Sequence, residues 1–68
     1  MKTAIATVVD GKNLTREEAE RVAELILTGQ ASEIEIAGFL TALRMKGETV
    51  DEILGFASVL RNFFCHKE

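Results

Sequence analysis

The chain has 68 residues, 47% of them hydrophobic and 28% charged, with a net charge of −3. That length allows one domain, and a domain so short buries only about 60% of its unfolded surface and is marginal on its own core. A lone cysteine, Cys65, excludes an internal disulfide, and a lone histidine, His66, falls short of the roughly four ligands of a structural zinc site. The acidic balance argues against nucleic acid, which calls for a basic patch. No apolar run approaches the roughly 20 residues of a membrane span. A partner surface is therefore the expected extra source of stability, and the single free thiol fits a reducing, cytoplasmic setting.

The first segment, Lys2 to Val9, is apolar but interrupted by Thr3 and Thr7. It lacks a small-residue cleavage site before Asp10, so it reads as part of the fold and not as a leader. Ile5, Val8 and Val9 have helical spacing, although β-branched residues also suit a strand. A lone strand would have no pairing partner here, so a helix is expected.

Proline is absent, and glycine provides the punctuation at Gly11, Gly29 and Gly47. Thr15, Ser32 and Thr49 follow at equal spacing, each with a glutamate three residues on: Glu18, Glu35 and Glu52. These are three capping boxes, in which the hydroxyl accepts from the third amide and the glutamate reaches back. Glycine just past a helix end permits the left-handed turn of a C-cap. Together they predict helices of about 13 to 16 residues.

The helix expected from Arg16 to Thr28 is amphipathic, with Ala19, Val22, Ala23, Ile26 and Leu27 opposite Glu17, Glu20, Arg21 and Glu24. From Glu33 to Lys46, apolar residues surround nearly the whole wheel, which predicts burial on several sides. From Val50 to about Phe64, a stripe of Ile53, Leu54, Ala57 and Leu60 is widened by Phe56, Val59 and Phe63. Four helices of this size cannot enclose so much apolar surface, which points to an interface with another domain or chain.

No constellation for chemistry emerges. There is no glycine-rich phosphate loop. Cys65 and His66 are adjacent, which on a helix turns them about 100° apart, and no third group orients them. The pairs Glu17-Glu18 and Asp51-Glu52 sit in first helical turns, where negative charge complements the helix dipole. Arg44 and Lys46 sit in a last turn, as the dipole favours; contact with an anion near Gly47 is the lesser reading.

The run from Leu14 to Gly55 nevertheless has a specific order of pieces. These are LTREEAE at Leu14–Glu20, a helix ending at Thr28-Gly29, and Ile36-Ala37-Gly38-Phe39-Leu40. ALRMKGET at Ala42–Thr49 and DEILG at Asp51–Gly55 follow. This run resembles the N-terminal helical domain shared by anthranilate phosphoribosyltransferases and pyrimidine nucleoside phosphorylases. Ala-Phe-Leu is commoner there at the positions of Gly38, Phe39 and Leu40. The turn Lys46-Gly47-Glu48-Thr49, followed by Glu52-Ile53-Leu54-Gly55, looks like the anthranilate branch.

The resemblance implies an all-α, compact four-helix domain occupying residues 1–68. The parent enzyme transfers a 5-phosphoribosyl group from phosphoribosyl pyrophosphate to anthranilate, with magnesium, in tryptophan biosynthesis. Its catalytic machinery, including a G-T-G-G-D phosphate loop, lies in an α/β domain beyond Glu68. No catalytic, cofactor-binding or metal-binding residue is therefore assigned to this chain, which is expected to be inactive alone.

The expected partners are the parent's α/β domain and a second subunit in a homodimer or larger oligomer, with neither nucleic acid nor membrane. The first and third helices carry the family's dimer contact. That matches Ile5, Val8, Val9, Ile36, Phe39, Leu40 and Leu43, so a charge at Phe39 or Leu43 should block self-association. The alternative is a free-standing self-association or protein-interaction module of the same origin, which the apolar Phe63-Phe64-Cys65 end favours slightly.

Overall fold

The computed structural model describes residues 1–64 and contains four helices: α1 (Lys2–Val9), α2 (Arg16–Leu27), α3 (Glu33–Lys46) and α4 (Val50–Phe64). No strand occurs among the described residues. Cys65 and His66 lie outside them.

All three capping boxes form. The Glu18 amide donates to Thr15 Oγ1 at 3.1 Å, and the Thr15 amide to Glu18 Oε1 at 2.8 Å. Ser32 and Glu35 repeat this at 3.1 and 3.0 Å, and Thr49 and Glu52 at 3.2 and 2.8 Å. The ends of α1 and α2 share one geometry. The Gly11 and Lys12 amides donate back to Val8 and Thr7, and the Gly29 and Gln30 amides to Ile26 and Leu25. This double closure requires a left-handed residue, supplied by Gly11 at φ 79° and Gly29 at φ 77°. α2 stops one residue earlier than its pattern suggests, because Thr28 serves as its C-cap and donates its hydroxyl to the Glu24 carbonyl.

The helices pack as two pairs, α1 on α3 and α2 on α4. Gly55 sets the second pair. A Cβ there would lie 2.6 Å from the Arg16 carbonyl oxygen and 2.7 Å from Ala19 Cβ, so only glycine lets the two backbones approach this closely. The shared core consists of Val8, Leu14, Val22, Phe39 and Leu43, with Phe56 set edge-on to Phe39 at 6.2 Å between ring centres.

The chain's own packing uses only part of the apolar surface of α3 and α4. The stripe Ile53, Leu54, Ala57 and Leu60 does not face α2; all four are exposed. The inward face of α4 is instead Glu52, Gly55, Phe56 and Val59. At Gly55 the backbone of α4 lies directly against Arg16 and Ala19 of α2. Within this chain α3 is covered on one side. Only Phe39 and Leu43 are fully buried, while Ile34, Leu40 and Met45 are exposed.

The carboxylate of the third capping box is fully buried. Glu52 Oε2 accepts from the Leu14 amide at 2.7 Å, and Oε1 from the Thr49 amide and from Lys46 Nζ at 3.0 Å. The Lys46 ammonium also donates to Asn13 Oδ1 and to the Gly47 carbonyl. Its side chain is only 5% exposed, so it is committed to this knot and is not free for an external anion. Burial alone pushes the Glu52 carboxyl up. The Leu14 and Thr49 amides and the Lys46 ammonium outweigh that and hold it below the ordinary carboxylate value.

Three outcomes follow from this packing. Glu52→Ala strands the buried ammonium and is expected to cost about 3–5 kcal/mol in urea unfolding. A lowered native pKa stabilises the fold above the unfolded value of about 4.3, and this contribution disappears as pH falls through the native value. The stability gap between the parent chain and Glu52→Gln should therefore be constant near neutrality and close in acid. Gly55→Ala should lower stability by about 1–3 kcal/mol in the same assay, although alanine is the better helix former, because the added methyl meets backbone.

Candidate functional site

Among the described residues no group of three or more His, Cys, Asp or Glu side chains converges as a metal cluster would. Glu52 and Lys46, the most deeply buried ionisable pair, satisfy one another, and no buried side-chain polar atom lacks a partner among the described residues. Beside its exposed charges the molecule also presents large apolar side chains outward.

An apolar groove of about 230 Å³ lies between α2, α3 and α4. Ile26 and Leu27 wall one side, Ile36 and Leu40 the other, and Phe56 and Leu60 close it, with Phe39 and Ala23 at its base. No polar atom lines it, so it can seat apolar side chains but offers nothing to bind or polarise a charged substrate. The groove follows from the helix register. α2 turns Val22 and Ala23 into the core and leaves Ile26 and Leu27 half-buried at its rim. The exposed side of α4 continues this apolar surface through Ile53 and Leu54 to Val50.

The outward side of α3 is a second apolar region. Ile34 is 84% and Met45 83% exposed, the highest values among the large apolar residues. Beside Met45, a shallow recess is lined by Val8, Val9, Gly11, Ala42 and Lys46.

The residues assigned to an interface by family resemblance fall into three groups. Val8, Phe39 and Leu43 are buried in the chain's own core, at 1%, 1% and 4% exposure. Ile5 and Ile36 are half-buried, and Val9 and Leu40 are exposed. A charge at Phe39 or Leu43 would thus break the fold before it reached any interface, and substitutions at exposed positions are the informative ones.

Leu14 and Glu52 are central to the structure but were not singled out as such in the sequence. Leu14 stands immediately before the Thr15 cap, the position from which a hydrophobic staple reaches the fourth residue of the helix, here Ala19; both are buried. Glu52 shares its helical face with Gly55, Phe56 and Val59, and that spacing could have placed it against α2.

The chain has relatives among known proteins. It matches a family described as "Glycosyl transferase family, helical bundle domain" over residues 2–64. It is 57% identical over 61 residues to the anthranilate phosphoribosyltransferase of Pelotomaculum thermopropionicum, and 56% identical over 61 residues to that of Hahella chejuensis. Each alignment covers 90% of this chain and 18% of the relative. The enzyme of the same name from Methanothermobacter thermautotrophicus is 50% identical over 58 residues, covering 85% of this chain and 16% of that protein. The chain thus spans less than a fifth of the length of these relatives. No solved structure matches it. The match runs through all four helices, and on that ground the chain belongs to the glycosyl transferase helical bundle domain family.

Proposed function

We propose that this chain acts as the N-terminal helical domain of an anthranilate phosphoribosyltransferase. In that role it forms one wall of the substrate cleft and a self-association surface, while catalysis resides in an accompanying α/β domain. The observation that carries the reading is the identity of 46–57% to enzymes of that name, extending over the helices and the turns between them. The parent reaction joins the phosphoribosyl group of phosphoribosyl pyrophosphate to anthranilate, with magnesium held outside this chain.

The apolar exterior supports an assembled role. Among the described residues ten large apolar ones are exposed, on α1, α3 and α4, and contiguous exposed apolar surface marks an interaction site. The same feature favours the second reading, a free-standing module that binds itself or another protein through these surfaces. Either reading sets the protein in the cytoplasm as part of the proposal. No described helix is long and apolar enough to cross a membrane.

A domain exchange separates the two. The segment of the Pelotomaculum thermopropionicum enzyme that aligns with this chain is replaced by it, and transfer is measured with anthranilate, phosphoribosyl pyrophosphate and magnesium. The chimera should retain transfer within about tenfold of the parent, or about 1.4 kcal/mol of barrier. The 68-residue chain alone should show none. A folded chimera without activity, or turnover by the pure chain, would overturn the assignment.

A further inference from the structure

We infer that the domain opens as two rigid halves, α1 with α3 and α2 with α4, along the seam between them, and that the Glu52–Lys46 contact is the latch that holds the seam shut.

The order of the helices permits such an opening. Partners within a pair are never consecutive in the chain, so each of the three connections passes from one pair to the other. Each connection also carries a glycine at positive φ, namely Gly11, Gly29 and Gly47, with nothing within 4 Å of where a Cβ would stand. Hinges are short segments at element ends that absorb a change in φ and ψ. Rotation in these turns parts the pairs without breaking the hydrogen bonds inside any helix.

Cohesion is uneven. Within the α2–α4 pair backbone meets backbone, with Gly55 against the Arg16 carbonyl and Ala19. Across the seam the packing is interrupted twice. The apolar groove separates Ile26 and Leu60 of one pair from Ile36 and Leu40 of the other. A second cavity, of about 240 Å³, lies between α1 and α2, lined by Thr3 and Thr7 on one side and Glu18 and Leu25 on the other. Atoms that line a gap lose the dispersion partners they would have across it. Between these gaps the seam is bridged by the edge-on contact of Phe39 with Phe56, by Val22 in the core with Phe39 and Leu43, and by the polar knot.

The knot closes one end of the seam. Lys46 is the last residue of α3 and Glu52 lies in the first turn of α4, whereas the groove lies toward the start of α3 and the end of α4. Glu52 accepts from Lys46, from the Leu14 amide ahead of α2 and from the Thr49 amide. On α2, Arg16 and Glu20 border Gly55 but pair with each other at 3.7 Å, both partly in solvent. Glu48 and Asp51 beside the knot are exposed, and α1 carries only Lys2, also exposed. Lys46 is thus the one charged side chain bonded to Glu52 among the described residues. Neutralising the carboxylate removes what compensates the buried ammonium, which then gains by moving into water. The latch is shut at neutral pH and releases in acid, as pH falls through the native carboxyl value, which lies below the ordinary one.

The test is NMR spectroscopy of the 68-residue chain, with circular dichroism for helicity. It follows the Phe39–Phe56 ring contact across the seam and the Ala19–Gly55 contact within a pair. Acid should abolish the first while the second and the helices persist. Glu52→Gln should show that open state already at neutral pH and change no further in acid, which separates this carboxylate from the others that titrate. Should that variant not fold, hydrogen exchange of the parent chain at neutral pH decides. There the Leu14 amide, freed when the latch opens, should exchange about tenfold faster than the Ala23 amide, which needs α2 to unravel. Loss of both contacts and of helicity together in acid would overturn the two halves. A ring contact that survives both acid and Glu52→Gln, or equal exchange at Leu14 and Ala23, would overturn the latch.

Discussion

The Glu52 carboxylate and the Lys46 ammonium are the contact on which the arrangement of the four helices turns. Taking a carboxylate out of water costs several kcal/mol, and only a full set of donors offsets it. Here the donors come from three places in the chain: the amide ahead of α2, the amide ahead of α4, and the side chain at the end of α3. Satisfying one charge therefore brings together the start of α2, the end of α3 and the start of α4. Asn13 extends the knot into the loop after α1. A hydrophobic core of five residues would tolerate several helix registers, but a buried carboxylate with directional partners tolerates one.

This explains why the α3 end differs from the other two. At Gly11 and Gly29 the chain closes the preceding helix with two backbone hydrogen bonds, a local solution independent of the rest of the fold. At Gly47 a single bond returns to Leu43, and the backbone, at φ 92° and ψ 132°, swings away from the helix. The freed Gly47 carbonyl accepts from Lys46, whose ammonium then reaches Glu52. The same capping-box spelling thus serves two ends. In α2 and α3 it satisfies a helix terminus in solvent, and in α4 it is buried and joins elements far apart in sequence.

That contrast also sets what was legible in the residues. Helix number, the three starts and the glycine stops are local, set by hydroxyl, glutamate and glycine at fixed offsets, and the structure places them where the spelling does. The direction each helix faces is not local. The apolar stripe of α4 shows that the helix carries more than one bundle can enclose, but not which side turns inward; the close contact of Gly55 with α2 sets that side, and Ile53, Leu54 and Leu60 lie outside. The capping-box spacing separates Glu52 from Asp51 as the residue that reaches back to Thr49, but all three boxes share that spelling, and only the position of Leu14 and Lys46 in space makes this glutamate the centre of the fold. The family resemblance was legible because it depends on the order of the local pieces. The sidedness of the apolar surface was not, because it depends on how the pieces dock.

The balance between inside and outside bears on what such a domain is for. Among the described residues seven apolar ones are buried, two of them alanines, while ten large apolar ones remain exposed. Burying a large aliphatic or aromatic side chain contributes about 1.5–3 kcal/mol, so covering even four of the ten is comparable with the whole stability of an ordinary small domain, about 5–15 kcal/mol. Folding and assembly are then linked, since any partner that binds only the folded chain adds its binding free energy to the fold. The interior needs only to hold the helices in register, which a polar knot and a glycine contact achieve with few large side chains. The remaining apolar residues are thereby left on the surface, where any partner that covered them would add to the stability of the fold.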